Sequence, residues 1–424
     1  MKQMHLRSLA AVVAVVTGVA CGGDSTAPPK AASLTVSVKD TTSGISHVVA
    51  ATDSLKGTVS LAVLPTPTFT VLDDKGNAIS GVPVTVTVTG GGGQVTNTPK
   101  SSGSSPTSVG TWVLGSVPGT NSLTISVAGV APVVVTAIAR RPFFVDLRFF
   151  GPPIDASFQA AFTAAKARVE QMITADVPDT PVTALDIVAC GVTGAAPITE
   201  LVDDLIIYAV VDSIDGPGKI LGSSGPCYQR TIGGLPLLGV MHFDVADFLN
   251  LRNDGRLNDV VLHEMLHVVG FGTMWLSKGQ VSGAGTPSSA FIGAQATAGC
   301  VAAGGSAVCV GSVPLETTGG QGTRDVHWRE TTFRTELMTG FVSAAGVPNP
   351  LSRMSIGSLG DIGYTVNTAV ADAYTVPSPA AIAFASIREA QGIGAPFEIN
   401  EVVQQPIGSI DPKGRVTPLS ARRQ

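Results

Sequence analysis

The chain has 424 residues, with 26 Lys and Arg against 31 Asp and Glu, a net charge of −5 and a pI near 5.7. No long basic run occurs, which argues against nucleic-acid binding, and only 13% of residues are charged, against about a quarter in ordinary soluble domains. The 49 Gly and 28 Pro, with abundant Ser, Thr and Val, point instead to a β-rich, exported protein of about two or three domains.

Lys2 and Arg7 precede an apolar run at residues 9–20, too short to span a bilayer but of signal-peptide length, so residues 1–20 read as a signal peptide. Gly18-Val19-Ala20-Cys21 resembles the lipobox of bacterial lipoproteins. That resemblance implies a lipidated Cys21 and a cell-surface or outer-membrane anchor, the sole expected tie to a membrane. Small residues at 18 and 20 also suit ordinary cleavage and secretion. Residues 21–33 read as a flexible stalk. Four cysteines remain, Cys190, Cys227, Cys300 and Cys309, an even number in an exported chain. Three connectivities are open; Cys190–Cys227 and Cys300–Cys309 are favoured because each closes a Gly-rich segment within one region. None of the four has zinc-ribbon spacing.

Residues 34–139 alternate in short runs such as Leu34-Thr-Val-Ser-Val38 and Leu123-Thr-Ile-Ser-Val127, with the turn Asp73-Asp-Lys-Gly-Asn77 between apolar stretches. About seven such strands predict a β-sandwich. The stretches VLDDKGNAISGVPVTVTVTGGGG and GTWVLGSVPGTNSLTISVAG resemble bacterial Ig-like domains of the invasin type. The resemblance implies a spacer or adhesive module with an unspecified partner. His47 stands alone there and reads as a surface or packing residue.

A boundary at Arg140-Arg141-Pro142 opens a second domain, residues 140–385. A strand at 143–149 is followed by Phe158, Ala161, Phe162, Ala165, Val169, Met172 and Ile173 at helical spacing. Residues 204–211 and 235–245 read as apolar strands, the second leading into the helix described next. Gly239 to Phe243 is assigned the edge that offers its backbone to an extended peptide. His242 within it reads as a hydrogen-bonded strand histidine, with metal ligation as the alternative.

Residues 257–272, LNDVVLHEMLHVVGFG, hold His263-Glu264-Met265-Leu266-His267, and the chain has only six His. Residues four apart share one helix face, so both imidazoles can grip one metal ion while Glu264 reaches its water. Asn253, Asp254 and Gly255 offer capping and turn chemistry before the helix, and Gly270 suits its end. A catalytic zinc takes three protein ligands. Position 273 is Thr, which excludes the compact third-histidine motif. His242, His327 and a downstream acid remain as candidates.

His327-Trp328 followed by Glu336-Leu337-Met338 resembles the leishmanolysin family of metzincins, as does Ser355-Ile-Gly-Ser-Leu-Gly-Asp-Ile-Gly-Tyr-Thr-Val366. In that family a long insertion separates the Gly from the third His. The resemblance implies an α+β zinc endopeptidase acting on protein or peptide substrates. It implies one Zn²⁺ held by His263, His267 and His327, Glu264 as general base, and Met338 in a turn beneath the metal. A rival scheme takes Glu330 or Glu336 as third ligand. Tyr364 reads as packed near the core. Ca²⁺ has only the acidic turn Asp212 to Asp215 to recommend it, without a loop signature. Residues 386–424 read as a tail or small terminal hairpin. The competing function is a cell-surface adhesion protein whose protease-like domain is inactive; hydrolysis of an ester is a third reading.

Overall fold

The computed structural model describes residues 30–39, 46–50, 53–320 and 322–419. The expected signal peptide at 1–20 and the Cys21 lipidation site lie outside them. The chain forms two compact units, the second beginning at residue 138 and also holding residues 56–61 and 114–120.

The first unit carries two four-stranded sheets. One orders its strands as Ser46–Val48, Ser33–Lys39, Thr68–Leu72 and Thr107–Ser108; the other as Ser54–Thr58, Val133–Arg140, Gly119–Val127 and Val84–Gly90. Alternation does its expected work: Val84 and Val86 are buried between exposed threonines, and Val86 pairs with Ile125, itself buried. His47 lies exposed, opposite Val38.

The second unit is built on a seven-stranded sheet. The strands of that sheet and the helices discussed with it are, in chain order, β1 (Val145–Phe150), α1 (Ala156–Met172), β2 (Leu205–Asp212), β3 (Gly222–Arg230), β4 (Pro236–Asp244), α2 (Val245–Asn253), α3 (Leu257–Val269), α4 (Ala294–Cys300), α5 (Arg353–Ile362), β5 (Glu401–Val403), β6 (Gly408–Ile410) and β7 (Val416–Pro418). β1, β2 and β4 run parallel, whereas β3 is antiparallel to β4. β2 is covered on both faces, as its continuous run LIIYAVV requires. α1 buries the stripe Phe158, Ala161, Phe162, Ala165, Val169 and Met172, and Asp155 caps it by accepting from Ser157 N at 2.8 Å.

Two sequence expectations change here. β4 is interior, hydrogen-bonded to β2 on one side and β3 on the other, so Gly239 to Phe243 offers no free edge. The strand beyond it is β3, and β5 and β6 pair with its far side. α2 intervenes between β4 and α3, so Asn253 ends one helix and Asp254-Gly255 makes the turn to the next; α3 has no side-chain cap. Among the described residues the acidic groups placed to hold a cation do not include the Asp212 to Asp215 turn, which has no loop signature. The N–H groups of Ile214, Asp215 and Gly216 donate to Asp244, and Asp212 Oδ1 lies 2.6 Å from His242 Nε2. His242 is thereby satisfied in its strand.

The structure joins Cys190 to Cys227 and Cys300 to Cys309. Among the described residues no helix is long and apolar enough to cross a membrane. Two disulfides are consistent with an extracellular protein.

Asp204, just before β2, is buried and accepts from Val177 N at 2.7 Å and Phe144 N at 2.8 Å. Burial raises its pKa to about 7, against the pull of those two donors. A raised folded-state pKa means that the native protein holds the proton more tightly than the unfolded chain. The resulting stability is complete below the ordinary value of 3.8 and is lost as pH rises through about 7. Asp204→Asn is expected to flatten this fall, measured as the difference in urea-unfolding stability between acidic and neutral pH.

Candidate metal centre

α3 is apolar on almost every side because it lies inside the core, with Val260, Val261, Met265, Leu266, Val268 and Val269 all buried. Into this setting it brings His263, Glu264 and His267, each with zero exposure. The helix stops at Gly270, φ 120°, whose N–H bonds back to Leu266 and His267 carbonyls. A Cβ there would meet Ile362 Cδ1 at 2.8 Å and Met274 Cγ at 2.9 Å, so both conformation and space call for glycine.

The chain then makes a long excursion through the strands Val281–Ser282, Ala290–Phe291 and Val313–Pro314, with α4 and the Cys300–Cys309 link between them. It returns at His327, whose carbonyl accepts from Glu316 N at 2.9 Å. Trp328 anchors the return. Its ring packs on Trp275 at 4.8 Å and Phe271 at 5.3 Å between centroids, and its Nε1 donates to Ser355 Oγ at 2.8 Å.

The three imidazoles converge. Their Nε2 atoms lie 3.0 Å (263–327), 3.1 Å (263–267) and 3.0 Å (267–327) apart. Each ring turns its Nδ1 to a backbone carbonyl: His263 to Leu337 at 2.8 Å, His267 to Phe271 at 2.9 Å, His327 to Thr323 at 3.2 Å. A carbonyl can only accept, so each Nδ1 carries a proton, and in the neutral ring Nε2 then presents a lone pair. Burial takes the His267 pKa down to about 3, which keeps that ring neutral. Three buried lone pairs facing one another repel unless a cation lies among them. The donor set therefore fits a zinc ion, and the Nδ1 bonds are those that orient ligand histidines.

Glu264 sits beside this group. Its Oε2 accepts from Ser224 Oγ of β3 at 2.6 Å, and its Oε1 has no partner. Burial first, and the neighbouring Glu401 carboxylate second, push its pKa well above the ordinary carboxylate range. Neither Ser224 nor Glu401 was legible as a site residue. The first is one serine among many, and the second lies far down the chain with no motif around it.

Glu401 completes a four-residue cluster with the histidines. Its Oε1 is 3.0 Å from His327 Nε2 and 3.4 Å from His263 Nε2, and its Oε2 is 3.4 Å from His267 Nε2. The acids considered as third ligand, Glu330 and Glu336, are not in that cluster. Glu336 organises the turn instead. Its Oε2 accepts from Met338 N at 2.6 Å; its Oε1 accepts from Ser352 N at 3.0 Å, Ser352 Oγ at 2.6 Å and Ser355 Oγ at 2.5 Å. Met338 is fully buried, and its carbonyl accepts from Trp328 N at 3.0 Å. Tyr364 donates to Val269 O at 3.0 Å, bracing the end of α3.

Glu336→Gln would aim an amide N–H₂ at one of four donors and leave it unpaired. The expected loss is about 2–3 kcal/mol, read as a lower denaturation midpoint, with the three histidines untouched.

No curated protein matches the chain. The family model described as leishmanolysin matches residues 181–388, which include α3, the excursion, His327 and the Met338 turn but stop short of Glu401. The match holds all three histidines and supports a leishmanolysin-like metalloprotease.

Proposed function

We propose that the protein is an exported zinc endopeptidase of the metzincin type, with His263, His267 and His327 as zinc ligands and Glu264 as general base. One observation carries this reading: three buried Nε2 atoms within 3.1 Å of one another, each with its Nδ1 proton given to a carbonyl. Bound zinc supplies a Lewis acid that polarises the scissile carbonyl and makes water nucleophilic near neutral pH.

The remaining work falls to the chain. Ser224 Oγ holds Glu264 by Oε2 and leaves Oε1 free. Oε1 takes a proton from the attacking water and passes it to the leaving amine nitrogen. Buried walls around the histidines exclude bulk water, which strengthens each electrostatic contact. Met338 supplies an apolar floor. The N-terminal unit, residues 34–139, serves as an Ig-like spacer or adhesive module, and Cys21 as an anchor to a bacterial surface; residues 1–20 direct export.

Glu264→Gln is expected to retain stoichiometric zinc while casein cleavage falls by about 10²- to 10⁴-fold. Zinc analysis and a casein assay with and without chelator check both halves. Zinc bound without cleavage by any form of the protein would favour the adhesion reading.

A further inference from the structure

A peptidase must present a substrate carbonyl to the ion and leave its fourth position open. Here that position faces a side chain of the same protein. The carboxylate of Glu401 is fully buried against three Nε2 atoms, at 3.0 to 3.4 Å. Three neutral imidazole nitrogens and a carboxylate in one buried group form a donor set that one divalent cation satisfies.

The backbone around Glu401 is seated like a bound peptide. β5 pairs in parallel with β3, Gly222 opposite Glu401, Ser223 opposite Val402 and Ser224 opposite Val403. Leu221 N donates to Asn400 O at 2.8 Å, and Gln404 N donates to Ser224 O at 2.7 Å. On the opposite side Ile399 N donates to Gly340 O at 3.0 Å, and Phe397–Glu398 pairs antiparallel with Phe341–Val342 just past the Met338 turn. The segment thus runs between β3, which carries the serine that holds Glu264, and the turn that follows His327. Two wall glycines make room for it. A Cβ on Gly322 would collide with Glu401 O, and one on Gly225 with Gln404 O. Upstream, residues 391–395 are exposed and Gly392 and Gly394 take positive φ, so the segment joins the domain through a pliant stretch.

We propose that residues 397–405 are an internal inhibitor of this chain, with Glu401 as a fourth metal ligand and β5 lying on β3 where an extended peptide substrate would add as a strand. The proposal rests on the zinc-site reading above. Because a side-chain carboxylate, not a peptide carbonyl, faces the histidines, the segment occupies the cleft without presenting a bond to be cut. Activity then requires β5 to leave β3.

The test uses the full chain with Co²⁺ in place of zinc, titrated with acetohydroxamate and followed by visible absorption, beside casein cleavage by the zinc form. Glu401→Gln removes the ligand charge and keeps the shape; Gln404→Pro removes the N–H that bonds Ser224 O and leaves every site residue in place. Both variants are expected to bind hydroxamate at least about tenfold more tightly than wild type and to cleave casein at least about tenfold faster, the gain expected when a closed state outnumbers the open one by that ratio. Equal hydroxamate affinity and equal cleavage in all three metal-loaded proteins would overturn the inhibitor and leave the zinc site standing. Should Glu401→Gln not fold, Gln404→Pro decides alone. Failure of every form to take up Co²⁺ would overturn the zinc-site reading and this one together.

Discussion

Repulsion among buried lone pairs is the constraint on which the rest of the unit depends. Neutral imidazoles in an apolar core are tolerable when each finds a donor or an acceptor. Here the three Nδ1 protons go to Leu337, Phe271 and Thr323 carbonyls, so in the neutral rings every Nε2 is left to accept. A fold that buries this arrangement is stable in proportion to its hold on a cation, so metal binding and folding are coupled.

The surrounding structure serves to keep the three rings in place. Gly270 ends α3 where the chain must turn at once, and the stack of Phe271, Trp275 and Trp328 ties that end to the returning segment. Glu336 gathers Met338, Ser352 and Ser355 into one hydrogen-bonded corner, and Trp328 Nε1 reaches the same Ser355. The Leu337 carbonyl that orients His263 is therefore set by residues that never approach the ion. Such indirect support is the rule for ligand histidines, because an imidazole rotated by a few tens of degrees no longer points its lone pair at the metal. The link between Cys300 and Cys309 stiffens the excursion that delivers His327.

A second carboxylate changes how the cleft is understood. Glu264 and Glu401 approach the same histidines from different strands' neighbourhoods, one held by Ser224 and the other carried on β5. Two buried carboxylates side by side are costly without positive charge between or beside them. An ion held by the three histidines would supply that positive charge to both. The same β3 strand that holds Glu264 through Ser224 also pairs with the segment that carries Glu401.

What the chain itself determined is local. The spacing His263-Glu264-x-x-His267 needs only the helical repeat to put two rings on one face, and Gly270, Trp328 and Met338 lie near enough to the ligands to be read as one pattern. The stripe of α1, the buried run of β2 and the alternation of the N-terminal strands follow from periods of 3.6 and 2. Strand order is not legible, since an apolar run says that a strand is covered and not by which neighbours; β4 reads as an edge and is interior. Asn253, Asp254 and Gly255 carry capping chemistry, but whether such residues start a helix or finish one depends on what packs before them, and here α2 does. Glu401 is the clearest case. It sits more than a hundred residues beyond the helix in a stretch without periodicity, and only pairing across the sheet, decided by backbone hydrogen bonds and not by side-chain pattern, brings its carboxylate to the histidines.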